Sequence, residues 1–306
     1  MSNMVEKICV TVASGEFLVG VLANGFIGIV NCMDWVKTRK FSCLNFILIG
    51  LAISRIGLLG VMTSYVFSIS FYSSATLSKR KSFQVMWTLS NNSSAWFAAC
   101  LSVFYFLKIA NFSHPIFLWL KWRIERGVFI VLLCFGVFSF FTSLTVILIC
   151  DIFQTTYDLE NKINSTQKIQ EYKTHNLLIM ILFSMGSIIP FALSMMSCLL
   201  LVLSLWRHTW QMRQNAMSSR DISMKVHMRV MTTTMSFLFL FVLYYAGLFS
   251  ILSNIPLRRR KLTILFTLLG MKICPLTHSI ILIVGHNRLR MAVLRVPWKL
   301  RVCFKD

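Results

Sequence analysis

Acidic residues are scarce in this chain. Only 10 Asp plus Glu stand against 31 Lys plus Arg in 306 residues, and charged residues make up 13% of the total. A soluble domain carries about 25%. Paired carboxylates for a proton relay or a cation pathway are therefore missing from the apolar segments. Metal and redox frameworks are missing too. The nine cysteines form no CxxC pair. Most lie inside apolar runs (Cys32, Cys100, Cys134, Cys198, Cys274), where a thiol behaves as a small hydrophobe. No HExxH, GxSxG or phosphate-loop motif occurs, and the six histidines are scattered. Enzymatic chemistry has no clustered residues to use, and no cofactor is implied. An inverted-repeat transporter is disfavoured, because Pro190 and Pro275 are isolated rather than duplicated in corresponding segments. The N-terminus lacks the basic flank and short apolar region of a cleaved leader, so the first apolar run is expected to be retained.

What the chain has instead is apolar length. Hydrophobic residues are 57% of the sequence, with a mean hydropathy of +0.71. A soluble core of this size cannot hide so much apolar surface, so lipid must solvate much of it. A crossing helix needs about 20 residues. Seven segments qualify, at about 8–33, 44–72, 83–107, 128–150, 177–206, 230–253 and 262–284. Uninterrupted runs of this length lack the alternation of a barrel. The expectation is an all-α membrane protein, a single seven-transmembrane helix bundle over residues 1–306 in the plasma membrane.

Orientation follows from charge. With the N-terminus extracellular and the C-terminus cytosolic, the inner segments hold about 18 Lys plus Arg and the outer ones about 11. The outer clusters "SKRKS" and "LRRRKL" oppose that bias. The sequon "NST" at 164–166 fits an outer loop, with Asn164 either glycosylated or an ordinary loop asparagine. The net charge of +21 is dispersed between apolar runs rather than gathered on one polar face. Nucleic acid is therefore not an expected partner. The basic tail suits an anionic inner leaflet, with Pro297 expected to interrupt any helix there.

Three ionisable residues sit within spans: Glu16, Arg55 and Lys272. Such groups are expensive in lipid unless paired or hydrated. Arg55 needs carbonyls, amides or water, and Asn24 at similar depth on the first span is the obvious amide. The pair is either a polar hub that rearranges or static glue between helices. Glu16 lies eight residues outward of Asn24, and Lys272 seven outward of Ser279, roughly 10–12 Å in each case. If the first and last helices are neighbours, these two form an ion pair.

The run "CLSVFYFLKIANFSHPIFLWLKWRI" (100–124) closely resembles the third-span end and second inner loop of type 2 (bitter) taste receptors. The resemblance extends along essentially the whole chain. It takes in "GVLANGFI", "LIGLAISRIGLL", "LSLWRHTWQM", "SFLFLFVLYY" and "HSIILIVGHNRLR" in the family's order. It implies a seven-helix G-protein-coupled receptor for small bitter agonists, signalling through a gustducin-type heterotrimeric G protein. It further implies agonist contact at Trp87 and Asn91 on the third span, which share one helix face at i and i+4. A weaker implication is contact at Tyr244 on the sixth. Static roles stay open at this point, with Trp87 at the membrane interface and Asn91 bonded between helices. At the inner face Lys108, His114, Lys121, Arg123 and His227 are expected to meet the G protein, or else to reach the headgroups. The chain departs from the family at Asn92, where a histidine is common, at "HMRVMT" (227–232), and at His286, where the family has Asn. A type 1 vomeronasal receptor and a small polytopic transporter are the other readings.

Overall fold

The computed structural model describes residues 2–39, 42–71, 77–110, 114–159, 186, 188–207, 210, 232, 235–236, 238–247 and 260–303. The described secondary structure is all helical. The elements are α1 (Ser2–Thr38), α2 (Cys43–Phe71), α3 (Leu77–Ile109), α4 (Pro115–Trp122), α5 (Ile124–Leu159), α6 (Ile188–Arg207), α7 (Leu238–Gly247), α8 (Arg260–Gly285) and α9 (Asn287–Cys303). Each of the seven sequence-derived spans overlaps one of these helices, and several helices run past the predicted ends. Asn164 and His227 lie outside the described residues.

Helix α1 shows how lipid and protein divide one surface. Ala13, Asn24, Ile27 and Asn31 are buried, while Leu18, Leu22, Ile29, Met33 and Val36 are exposed. Both sets follow three- and four-residue steps, so they form opposite stripes of one helix. The exposed stripe is wholly apolar, which only a lipid solvent favours. Four described helices are long and apolar enough to cross a membrane: residues 4–38, 43–71, 188–207 and 262–285. Helix α3 is absent from that set because it is the inner helix of the bundle. Thr88, Asn91, Asn92, Ser94 and Ser102 are buried along it, facing neighbours rather than lipid.

Helix α1 packs on α2 and α8, α2 on α3 and α8, and α3 on α5. One apolar cluster gathers Ile27, Ile47, Leu48, Leu51, Phe104 and Leu282. A second gathers Ala13, Leu58, Met62, Tyr244, Leu265 and Met271. Trp96 of α3 meets Phe135 of α5 at 5.0 Å between ring centroids. Ser102 of α3 and Ser194 of α6 share a buried 3.0 Å hydrogen bond. Gly50 allows α2 to approach α3 closely, because a Cβ there would collide with the Phe97 ring. Gly50→Val is expected to cost about 1–3 kcal/mol through overpacking. A reduced thermal unfolding midpoint of the purified variant would show it.

One local expectation, that Pro297 interrupts the tail, is corrected. Pro115 opens α4, after α3 has ended at Ile109. The His114 carbonyl accepts from Leu118 N at 3.1 Å. Proline suits a first helical turn, where its missing N–H would have no partner. Pro297 does not break the tail helix, since α9 runs from Asn287 to Cys303. One proline removes a single ladder bond, and a helix can bend past it when its neighbours stay bonded. At its other junction, α1 ends on Arg39 in the left-handed region, φ 49°, with Arg39 N donating to Trp35 O at 2.9 Å.

Candidate functional site

Three polar centres stand inside the helical bundle. The first joins α1, α2 and α8. Arg55 Nη1 donates to Ser279 Oγ at 2.9 Å. The Ser279 hydroxyl has two acceptors in reach, Asn24 Oδ1 at 2.8 Å and Pro275 O at 2.9 Å. Asn24 Nδ2 is used on Gly20 O at 2.8 Å. Asn24 is therefore not the direct partner of Arg55. Packing inserts α8 between the two, and Ser279 carries the link. All three residues are buried.

The second centre lies closer to the α1 N-terminus. Lys272 Nζ stands 3.4 Å from Glu16 Oε2 and donates to Ala13 O at 2.6 Å. Lys272 is 0% exposed and Glu16 13%. The packing of α1 on α8 creates this contact between residues far apart in sequence.

The third centre is a cavity of about 40 Å³ bounded by α2, α3, α7 and α8. Across its wall the Tyr244 hydroxyl donates to Asn91 Oδ1. Trp87, one helical turn before Asn91, packs on the cluster that holds Tyr244. Its ring lies 5.5 Å from Phe83, which stacks on Tyr65 at 4.0 Å. Tyr245 and Phe241 of α7 also line the cavity, and Phe191 of α6 packs against both. The predicted trio Trp87, Asn91 and Tyr244 is thus brought together by α3 and α7. Tyr245 joins it, and so do Ser94 and His278, which were not foreseen. An organic ligand site is usually 300–1,000 Å³, so this cavity is a floor rather than a whole pocket.

At the opposite end of the bundle the predicted residues separate into two groups. Lys108 and His114 are exposed, with Lys108 Nζ 5.3 Å from the Phe104 ring centroid. Arg123 is exposed and lies over the Trp119 ring at 5.1 Å. Lys121 folds back: its Nζ donates to Ala110 O at 3.3 Å and sits 5.7 Å from the Phe117 ring. Phe117 is buried among Leu107, Ala110, Leu201 and Leu205. Lys121 therefore caps the carbonyl end of α3 and fastens α4 beneath it.

One cluster escaped the sequence reading. Arg288 of α9 pairs with Asp34 of α1 at 2.8 Å and donates to Asn45 Oδ1 of α2 at 3.2 Å. Asn45 Nδ2 completes the ring by donating to Asp34 Oδ2 at 2.9 Å. The available signal was Asp34 itself, the one carboxylate between Glu16 and Glu125. Beside this ring, burial and then the Arg288 charge hold the His286 imidazole below its ordinary value. Both causes favour the neutral imidazole.

Among the described residues no group of His, Cys, Asp and Glu is arranged to hold a metal ion. Cys9, Cys32, Cys43, Cys100, Cys134, Cys198 and Cys274 are free thiols.

The sequence matches the family described as "Taste receptor protein (TAS2R)" over residues 1–301. It is 41% identical over 302 residues to taste receptor type 2 member 7 of Papio hamadryas, covering 97% of this chain and 95% of that protein. Against taste receptor type 2 member 10 of Pan troglodytes, identity is 40% over 309 residues, covering 100% and 98%. Among solved structures, squid rhodopsin aligns with a TM-score of 0.60 at 16% identity, over 98% of this chain and 88% of that one. That last likeness is one of fold.

Proposed function

The chain belongs to the TAS2R taste receptor family, and from that premise we propose where this receptor takes its agonist and where it meets its G protein. It is a multi-pass, non-enzymatic chemosensory receptor of the G-protein-coupled class. The family match decides against both the vomeronasal and the transporter reading.

Small bitter agonists dock from the extracellular side onto the floor formed by Trp87, Asn91 and Tyr244. The observation that carries this is the Tyr244–Asn91 hydrogen bond spanning α3 and α7 above a cavity. An indole offers stacking area, and an amide with a phenol offers a donor and an acceptor for orientation. An agonist that competes for either group changes how α7 is held against α3. That gives the differential affinity between two arrangements which activation requires. The N-terminus is extracellular and the C-terminus cytosolic, in line with the charge bias. A gustducin-type heterotrimeric G protein is the partner at the cytosolic face. The test is a calcium screen of bitter compounds in cells supplied with a chimeric gustducin-type G protein, at matched surface expression. Trp87→Ala is expected to raise the half-maximal concentration about tenfold or more, the loss of about 1.4 kcal/mol. Unchanged potency for every active compound would remove Trp87 from the site.

At the cytosolic face the two lysines should behave differently. Lys108 is exposed, and Lys108→Ala is expected to lower the maximal calcium response without changing agonist potency. Lys121 is occupied by the end of α3. Lys121→Met is expected to cost about 0.3–1 kcal/mol of stability, seen as lower surface expression with unaltered signalling per receptor. The reverse pattern would exchange their roles.

A further inference from the structure

Arg55 is 3% exposed, and its guanidinium stays charged at any physiological pH. Among the described residues its one hydrogen bond goes to a neutral hydroxyl, Ser279, and its Nε is buried without an acceptor. Among the described residues no carboxylate is at hand to balance it. Glu16 is taken by Lys272 and Asp34 by Arg288. The other eight carboxylates all fall outside the predicted spans: Glu6 precedes the first, and the rest begin at Glu125. A buried cation held by a single neutral partner is a costly arrangement unless something of opposite charge accompanies it.

The space beside Arg55 is the 40 Å³ cavity, and its wall is rich in donors. Arg55, Asn91, Ser94 and His278 contribute N–H and O–H groups, and all four are buried. Leu58 and Ala95 supply apolar surface. Among the described residues no carboxylate lines it. A water needs about 10–15 Å³ of such volume, so the space fits a monatomic anion with one or two waters and is too small for an organic ligand.

We propose that this cavity is a small-anion site, with chloride held against Arg55 and the surrounding donors as the missing counter-charge of the bundle. Water alone would satisfy the donors yet leave the charge unbalanced. The anion sits beneath the Asn91–Tyr244 bond, on the side of Arg55 and His278. It needs neither agonist nor G protein, so its test is independent of the receptor reading above.

The test uses the purified full-length receptor in detergent at constant ionic strength, with chloride replaced stepwise by gluconate. The thermal unfolding midpoint is expected to rise saturably with chloride, and bromide is expected to replace it. Ser94→Ala removes one donor without adding volume and should raise the half-saturating chloride concentration about tenfold. Ala95→Leu fills the space and should abolish the halide response while the protein still unfolds cooperatively. Equal midpoints in chloride and gluconate would mean that the cavity holds only water, and the proposal would fall. A halide response unaltered in Ser94→Ala would place the anion elsewhere and overturn it equally.

Discussion

Glu16→Gln is expected to reduce surface expression several-fold and to lower stability by about 3–5 kcal/mol, the usual cost of removing one partner of a buried ion pair. The reason lies in the asymmetry of the pair. Lys272 is 0% exposed and Glu16 is 13% exposed. Removing the carboxylate strands an ammonium that, among the described residues, keeps only the Ala13 carbonyl. Removing the ammonium instead leaves a carboxylate with some access to its surroundings and the option of protonation. Lys272→Gln should therefore be the milder change. The double variant should lie closer to wild type than the two single losses predict together. The measurement is a double-mutant cycle on the unfolding midpoint, with surface expression in parallel. Strict additivity would mean that the 3.4 Å separation carries no coupling.

Tyr244→Phe is the second large effect. It deletes the hydroxyl that donates to Asn91 while leaving the ring in its cluster. Asn91 is 2% exposed, so losing that donor costs about 1–3 kcal/mol. If the bond only fastens α3 to α7, expression falls and every surviving receptor responds to all agonists as before. If agonists use these groups, half-maximal concentrations shift by tenfold or more at equal expression, and by different amounts for different compounds. Asn91→Ala should reproduce that compound-by-compound pattern. A uniform response across the panel would leave Tyr244 a structural residue.

Much of this was legible without coordinates. The scarcity of acids made each intramembrane charge conspicuous, and the helical rise placed Glu16 and Lys272 at comparable depth. The i, i+4 spacing put Trp87 and Asn91 on one face. Other features were not legible, for specific reasons. Asn24 was the natural amide for Arg55 by depth, yet depth says nothing of what stands between two helices, and Ser279 does. Lys121 resembled its basic neighbours in the inner loop, but its neighbour in space is the last turn of α3. Pro297 suggested an interruption, yet α9 continues through it. Proline's effect depends on whether its missing donor had a partner to lose, and that is a property of position within a helix.

The sequence by itself determined that this chain lives in lipid, that its crossings are helical, and which family it resembles. Those follow from apolar length, from the need to satisfy every backbone group inside a bilayer, and from the order of its motifs. Only the tertiary structure decided which polar groups meet: Arg55 with Ser279, Lys272 with Glu16 and Ala13, Tyr244 with Asn91, Arg288 with Asp34. Hydrogen bonds and ion pairs act over about 3 Å. Contacts across a hundred residues or more are therefore fixed by how helices pack side by side, which no local stretch of chain specifies.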